Sequence, residues 1–251
     1  MRSALRDVLR VIALKWFGRT REQVAADDDT VAELRAYLQQ GKRCPHAGAP
    51  LRGLRFVVLD TETTGFHPHR GDEVIAVGAV VVEGGSIRSD EVFHRLVNPH
   101  RPIPPVITRL TGITQEMVAG AEDIGCVLKD FFRFARDAVL VGHSIGFDLA
   151  FLNKKLNALC GLKVQHPLLD TKVIARVFHP HLSSRSLDAL LAYHGIKPEG
   201  RHSALGDALL TARLFVRFLD LLAQQRVMTL GELYRFVGWR LQHLARHAGL
   251  F

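Results

Sequence analysis

The alternation of apolar and polar positions predicts an α/β domain in the middle of the chain. Short runs rich in Val, Ile, Leu and Phe predict strands, and Gly84-Gly85 predicts a hairpin turn between the second and third of them. The strands are expected at 56–60, 73–83, 92–97, 138–141 and 168–169. Apolar residues at helical spacing predict helices near 147–159, 171–178, 186–194 and 203–224. Three strands in series, followed by strands that alternate with helices, predict a five-stranded mixed sheet flanked by helices.

The two ends of the chain differ from this central region. Residues 1–50 predict a basic helical extension that ends in a Gly- and Pro-containing linker over 41–50. Its first part, residues 1–23, carries six Lys and Arg against two acids, a pattern that suits a phosphate backbone, a membrane surface or a protein partner. Residues 226–251 predict a helical tail. We therefore expect the central domain to span 51–225.

Composition narrows the class of protein. A length of 251 residues accommodates one domain with appendages, and a formal charge of +8 favours a polyanionic partner such as nucleic acid. The three cysteines, Cys44, Cys126 and Cys160, are scattered and odd in number, which indicates a reducing compartment without a disulfide framework. No run reaches the ~18 apolar residues of a membrane span, so we expect no stable membrane insertion and a cytoplasmic location.

Four acidic residues lie where apolar residues are expected. Asp60 and Glu62 end the first strand, and a period of two places both side chains on one face. Asp148 and Asp207 lie on or beside the sheet-facing stripes of two predicted helices. Carboxylates so close to one another repel, and buried carboxylates are costly unless basic side chains or metal ions neutralise them. Four acids from three segments favour a site for a hard cation such as Mg²⁺ or Mn²⁺.

His202 is a candidate general base because of its position relative to Asp207. Five residues separate the two, which is about 140° on a continuous helix and would turn the side chains apart. If the helix begins at Ser203, however, His202 lies in the preceding loop and reaches the same site.

Three motifs in order resemble those of the DnaQ-like (DEDDh) 3′→5′ exonucleases, a family that includes the proofreading epsilon subunit of bacterial DNA polymerase III. The first is Val-Leu-Asp-Thr-Glu-Thr-Thr-Gly at 58–65. The second is Val-Gly-His-Ser-Ile-Gly-Phe-Asp-Leu-Ala-Phe-Leu at 141–152, and the third is His-Ser-Ala-Leu-Gly-Asp-Ala at 202–208. The resemblance covers about residues 52–225 and leaves both termini outside it.

The resemblance implies a ribonuclease-H-like fold and the release of nucleoside 5′-monophosphates from a 3′ end. It implies two divalent cations, Mg²⁺ or Mn²⁺, with Asp60, Glu62 and Asp207 binding the first. Asp60 would bridge to the second cation, and Asp148 would support that cation through water. His202 would take the proton from the attacking water, and an ordinary histidine pKa near 6.5 suits this task.

The same resemblance implies a set of substrate-binding residues around the terminal nucleotide. They are Thr63, Thr64, Gly65, Ile113, His143, Ser144 and Phe147. Core packing is the alternative for Ile113 and Phe147. Ser144 departs from the family, because many members have asparagine after the histidine of the second motif. Outside the motifs, Asp170 is expected to cap the next helix, and Arg185 and Arg201 are either phosphate contacts or solvated arginines.

Three functions are compatible with the sequence. We expect hydrolysis of DNA, as single strands or frayed 3′ ends, in preference to RNA. The alternatives are an RNA or oligoribonucleotide 3′→5′ exonuclease and a catalytically silent nucleic-acid-binding module. A polymerase or another protein is an expected partner through the terminal helices.

Overall fold

A five-stranded mixed sheet with strand order β3-β2-β1-β4-β5 organises the computed structural model, which describes residues 27–42 and 45–247. The strands are β1 Arg55–Thr63, β2 Val74–Glu83, β3 Ser86–Leu96, β4 Val139–Gly142 and β5 Leu168–Asp170. The pairs β1–β2 and β2–β3 are antiparallel, whereas β4 pairs with both β1 and β5 in parallel. This is the predicted fold class, and the mixed sheet flanked by helices is confirmed.

Helices cover both faces of the sheet in the described part of the chain. They are α1 Asp28–Gln40, α2 Pro105–Thr111, α3 Gln115–Ala119, α4 Ile124–Ala135, α5 Gly146–Cys160, α6 Thr171–Phe178, α7 Leu187–Tyr193, α8 Ala204–Gln224 and α9 Leu230–His247. Two short 3-10 turns occur at Leu51–Gly53 and Pro68–Arg70. Among the helices of these residues, none is long and apolar enough to cross a membrane.

Strand β3 begins six residues before the position expected from the sequence. Its first half, Ser-Ile-Arg-Ser-Asp-Glu at 86–91, has no apolar alternation, and nearly all of it is exposed or only partly buried at the edge of the sheet. The partner β2 supplies the pairing, with a bulge between Val80 and Val81. An edge strand needs only one paired side and no buried face, so its polar half carried no strand signal.

The two faces of β1 bury alternate residues in two separate cores. Phe56 and Val58 pack in a cluster with α8, whose Phe215 and Phe218 are fully buried there. The intervening side chains, Val57 and Leu59 among them, pack in a cluster built from α1, α4 and α5. The strand thus directs its even-numbered side chains toward α8 and its odd-numbered ones toward α5.

Helix α1 packs in the core on one face of the sheet. Leu34 and Leu38 of α1 are fully buried in the same core as α4 and α5. Asp27 caps the helix, because its carboxylate accepts a hydrogen bond of 2.6 Å from the Thr30 N–H. The basic helix expected over 1–23, like Cys44, lies outside the described residues.

The segment expected to be a linker is tied to the start of α9. The N–H groups of Leu230 and Gly231 donate to the carbonyls of Ala49 and Ala47 at 3.1 and 2.7 Å. Leu230 and Leu233 of α9 are buried in the cluster around α8. Both described ends therefore contribute to the central unit, because their apolar side chains complete its cores.

The burial of α1 leads to a stability prediction. Leu38→Ala should lower the free energy of unfolding by about 2–5 kcal/mol, because it leaves a cavity in a close-packed core. The neighbouring exposed Gln39→Ala is the matched control and should change it by less than ~0.5 kcal/mol. Urea denaturation followed by circular dichroism measures both. Equal midpoints for Leu38→Ala and the unmutated protein would show that α1 adds nothing to the core.

Candidate metal centre and active site

The end of β1 presents Asp60 and Glu62 on the face that α8 covers. The strand pairs with β2 through both positions, with Asp60 opposite Gly78 and Glu62 opposite Ala76, and a bulge follows Glu62. Continuous pairing keeps the period of two intact, so both carboxylates point to the same side and both are partly buried. A slip of one residue would turn them to the opposite face.

Helix α8 brings Asp207 to these two acids. Ser203 caps the helix by accepting the Gly206 N–H at 3.2 Å, and Asp207 lies in the first turn. The helix approaches β2 closely at Gly78, where an added Cβ would lie 2.2 Å from backbone atoms of Ala204 and Leu205. Only glycine permits this approach. As a result, one carboxylate oxygen from each of Asp60, Glu62 and Asp207 lies within 4.8 Å of the others.

Asp148 reaches β1 from the opposite face. It is buried in the first turn of α5, and its Oδ1 accepts hydrogen bonds from the Thr61 N–H at 3.0 Å and the Thr61 hydroxyl at 2.7 Å. The structure therefore brings three of the four predicted ligands into one cluster. The fourth holds the strand between Asp60 and Glu62.

Burial raises the pKa values of Asp60, Glu62 and Asp148, and the charges of neighbouring acids add to this at Asp60 and Glu62. Burial raises the pKa of Asp60 well above its usual range, and the charges of Asp148, Asp207 and Glu62 raise it further. Burial, followed by the charge of Asp207, raises the pKa of Glu62 to about 7. Burial raises the pKa of Asp148 to about 7 despite the hydrogen bonds from Thr61. A nearby cation would remove this repulsion.

The two oxygens of Asp207 test whether a cation fits. Oδ2 accepts hydrogen bonds from the Arg201 guanidinium and from the His202 N–H. Oδ1 is buried and has no hydrogen-bond partner among the described residues. A buried acceptor without a donor is costly. An unpartnered oxygen beside two more carboxylates is a donor set for a hard divalent cation, so the residues present fit such an ion.

His202 lies in the loop directly before α8, as a helix start beyond Ser203 requires. Its backbone has φ +62°, its side chain is exposed, and its N–H donates to Asp207 Oδ2 at 3.3 Å. The residue therefore adjoins the carboxylate cluster while its ring stays accessible to solvent.

The last residue of β1 and the loop after it contain the predicted residues Thr63, Thr64 and Gly65. The Thr63 hydroxyl donates to the Gly65 carbonyl at 2.6 Å, and the Thr64 N–H donates to the Glu73 carbonyl at 2.8 Å. A Cβ on Gly65 would lie 2.3 Å from the Asp72 carboxylate. Hydrogen bonds and close packing thus hold this loop against the start of β2.

The second motif places its residues at the carboxyl end of β4. The Thr171 hydroxyl donates to the Gly142 carbonyl at 3.2 Å and therefore accepts from His143 Nδ1 at 2.9 Å. This leaves His143 Nε2 as a buried acceptor without a partner among the described residues, and burial lowers the pKa of the ring. Ser144, at φ +61°, donates its N–H to Asp170 Oδ1 at 3.1 Å.

Two other expectations from the sequence have different outcomes. Asp170 caps α6 as predicted, by accepting the Lys172 N–H at 2.8 Å. Ile113 is buried in a small cluster with Ile75 and Ile107, as in the core-packing alternative. It lies there because the turn after α2 packs against β2.

The two arginines weighed as phosphate contacts are both engaged by groups of the protein. Arg201 pairs with Asp188 and Asp207. Arg185 donates to the carbonyls of His179 and Pro180 at 3.1 and 2.7 Å, at the end of α6. Both arginines are therefore held by tertiary contacts, and their acceptors could not be identified from sequence spacing.

Comparison with known proteins decides the family. A family model described as Exonuclease matches residues 57–215, the stretch that carries the sheet and all four acids. The chain belongs to this exonuclease family. The resemblance to DEDDh exonucleases seen in the motifs is thereby confirmed.

Curated relatives of the chain include polymerase-related proteins. It is 44% identical over 196 residues to a DNA polymerase III subunit epsilon-like protein of Rhodobacter capsulatus, covering 77% of this chain and 28% of the relative. It is 42% identical over 165 residues to the DNA polymerase III subunit epsilon of Aquifex aeolicus, covering 66% of this chain and 80% of the relative. Against several longer relatives the chain spans only 13% of their length.

A solved structure shares the fold. Exonuclease X in complex with 5′ overhanging duplex DNA matches with a TM-score of 0.54 and 25% identity, over 66% of this chain and 92% of that one.

Two features beside the carboxylate cluster were not predicted from the sequence. Phe66 is 70% exposed and its ring lies 6.0 Å from that of Phe147, which also contacts Phe151 at 5.1 Å. Glu73 is buried and pairs with Lys154 and Lys155 of α5 at 2.7 and 2.6 Å. The exposed Phe66 could have been noticed in the sequence, because it is an apolar residue directly after Gly65. The ion pairs of Glu73 could not, because their lysines lie about 80 residues further along the chain.

The carboxylate cluster leads to a prediction for metal binding. We expect Mn²⁺ at 100-fold excess over its Kd to stabilise the protein by about 2.7 kcal/mol. At one fixed Mn²⁺ concentration, the rise in Tm should be larger at pH 8 than at pH 6. The pKa values of Glu62 and Asp148 are about 7, so both acids lose their protons in this range and protons no longer compete with the cation. Differential scanning fluorimetry measures the effect.

Asp207→Asn should abolish most of this stabilisation, because it neutralises one ligand. Asp220→Asn is the control, since Asp220 pairs with Arg52 far along the same helix and should leave the Mn²⁺ effect unchanged. An undiminished Tm rise in Asp207→Asn would place the cation elsewhere.

Proposed function

We propose that this chain is a 3′→5′ exonuclease that hydrolyses DNA to nucleoside 5′-monophosphates with two divalent cations, Mg²⁺ or Mn²⁺. The expected substrates are single strands and frayed 3′ ends. The observation that carries the proposal is the approach of Asp60, Glu62 and Asp207 to within 4.8 Å, next to His202. A site with clustered carboxylates and an accessible histidine suits the hydrolysis of a phosphodiester.

The residues divide the work as follows. Asp60, Glu62 and Asp207 would hold the first cation, with Asp60 bridging to the second and Asp148 supporting that one through water. When bound, such ions stabilise the attacking and leaving oxygens of an in-line displacement. His202 accepts the proton of the attacking water, as its exposed position beside Asp207 permits.

The surrounding loops hold the terminal nucleotide in this proposal. Backbone and hydroxyl groups of Thr63, Thr64 and Gly65 form one wall, since the contacts to Glu73 and Asp72 keep that loop in place. Ser144 and Phe147, at the start of α5, form the opposite wall. His143 orients the second motif through Thr171.

The named relatives favour DNA over RNA. Both epsilon-type relatives reported above carry names that refer to DNA polymerase III, at 44% and 42% identity. The formal charge of +8 suits either nucleic acid. A silent binding module is disfavoured, because all four acids and His202 are present. A polymerase or another protein remains the proposed partner at the terminal helices, and α9 presents Trp239 with 60% exposure for such a contact.

Digestion of three end-labelled substrates tests the proposal. We expect a single-stranded DNA with a 5′ label to shorten one nucleotide at a time from its 3′ end and to release 5′-monophosphates. A duplex with paired ends should be cut more slowly, and an RNA strand of the same sequence more slowly still. Faster cleavage of RNA would establish the alternative substrate.

Controls separate the parts of this proposal. Excess chelator should stop the reaction, and Mg²⁺ or Mn²⁺ should restore it. Asp60→Asn should fold normally and lose nearly all activity, since Asp60 is proposed to contact both cations. Cleavage of circular single-stranded DNA, which has no 3′ end, would contradict the assignment of an exonuclease.

His202→Ala tests the proposed general base. We expect kcat to fall by about 10²–10⁴-fold, because the attacking water loses its proton acceptor. Mn²⁺ binding should persist, since no proposed metal ligand is removed. His181→Ala, at another exposed histidine, is the matched control and should retain normal turnover. Full activity in His202→Ala would assign the base to a different group.

A further inference from the structure

The two oxygens of Asp207 have unlike surroundings. Oδ1 is buried and has no hydrogen-bond partner among the described residues, and one carboxylate oxygen of Asp207 lies in the cluster with Asp60 and Glu62. Oδ2 is held by two donors, a guanidinium nitrogen of Arg201 and the backbone N–H of His202. The carboxylate is thereby fixed in one orientation, with one oxygen occupied and the other available.

Arg201 is itself anchored from the far side. Its Nε and Nη2 donate to Asp188 Oδ1 and Oδ2 at 2.6 and 3.1 Å, a two-pronged contact with α7, while Nη1 donates to Asp207. The Arg201 side chain is only 17% exposed. A planar guanidinium can bond one carboxylate through two nitrogens and a second carboxylate through the third, whereas a lysine ammonium lacks this fixed fork.

The backbone around Arg201 is equally constrained. The Ser203 hydroxyl donates to the Gly200 carbonyl at 2.9 Å, and Gly206 packs so closely that an added Cβ would lie 1.8 Å from that carbonyl oxygen. The loop is thus closed against the first turn of α8. Arg201 and Asp207 therefore keep a set separation, and the guanidinium cannot follow a carboxylate that rotates.

We propose that Arg201, anchored by Asp188, is a positioning residue that directs Asp207 Oδ1 toward the bound cation. This inference rests on the proposed function and adds residues to it that lie outside the three motifs. Because Oδ2 is occupied, Asp207 binds the cation through one oxygen. The His202 N–H donates to the same Asp207 oxygen as Arg201. The proposed cation ligand Asp207 and the proposed base His202 are therefore held by the same set of hydrogen bonds.

Two other roles for Arg201 predict different results. If only its charge matters, Arg201→Lys behaves like the wild type, and Arg201→Gln binds the cation more tightly because a neighbouring positive charge is gone. If Arg201 binds a substrate phosphate, the KM for DNA rises in its variants and the Kd for Mn²⁺ in the absence of DNA does not change. Positioning instead requires the forked geometry and acts before any substrate binds.

Isothermal titration of Mn²⁺ into the substrate-free protein distinguishes these roles, together with kcat and KM on a short single-stranded DNA. We expect both Arg201→Lys and Arg201→Gln to raise the Kd for Mn²⁺ by about 10–100-fold, the usual cost of losing a group that orients a metal ligand. At saturating Mn²⁺, both variants should have a lower kcat, while the KM for DNA should be nearly unchanged. Asp188→Asn, which leaves Arg201 in place but weakens its anchor, should raise the Kd to a smaller extent.

Arg52→Lys is the matched control. Arg52 also pairs with an aspartate, Asp220 at 2.6 Å, but at the opposite end of α8 from the site. It should leave the Kd for Mn²⁺, kcat and KM unchanged. Thermal melts followed by circular dichroism verify that each variant is folded. If Arg201→Gln does not fold, the Kd for Mn²⁺ of Asp188→Asn provides the test.

A wild-type Kd for Mn²⁺ in Arg201→Lys would overturn the proposal, as would a change confined to KM. The test also separates this proposal from the proposed function. If the wild type binds Mn²⁺ through Asp207 but degrades no nucleic acid, the proposed function fails, and the Kd values alone decide whether Arg201 positions Asp207. If the wild type binds no Mn²⁺, both fail.

Discussion

Mutual repulsion among carboxylates at the end of β1 is the constraint on which the site depends. Three acids with ligand oxygens within 4.8 Å repel one another when they are charged, and burial adds to the cost. Burial and the charges of neighbouring acids raise the pKa values of Asp60 and Glu62, which reflects this conflict. The fold holds these acids together despite their repulsion, which a bound divalent cation would relieve.

The sheet makes this arrangement possible because it has two faces. Asp60 and Glu62 point toward α8, and Thr61 points toward α5, where Asp148 accepts its two hydrogen bonds. One strand thus meets an acid from each helix, Asp207 of α8 on one face and Asp148 of α5 on the other. Each helix is held by an extensive apolar core on its own side of the sheet, so the energy that keeps the acids close comes from packing well away from them.

Individual contacts then determine the position of Asp207 and the orientation of its carboxylate. Gly78 lets the first turn of α8 approach β2, and the loop at Gly200–Ser203 closes against that turn. Arg201 compensates part of the negative charge while leaving one oxygen of Asp207 without a partner. The site is therefore partly neutralised by the protein itself but incomplete, and a cation would supply the missing partner.

The sequence by itself determined the fold class, the positions of the main strands and helices, and the identity of the acids. These follow from local periodicity and from motifs in which the spacing is a property of one segment, as in Asp60 and Glu62 on one strand face. The helix expected over 203–224 was likewise predicted close to its actual start at Ala204, because helical periodicity is a local signal. The polar half of β3 could not be predicted, because it has no strand-like pattern of its own. It is a strand because it pairs with β2.

Only the tertiary structure decided which distant groups meet. The partners Asp188 and Arg201, or Glu73 and the two lysines of α5, come from separate elements whose spacing in the chain carries no information about contact. The packing of α1 into the core was hidden for the same reason, since an amphipathic stripe shows that a helix buries one face but not what it buries that face against. Periodicity specifies elements, whereas the packing of side chains between elements specifies the site.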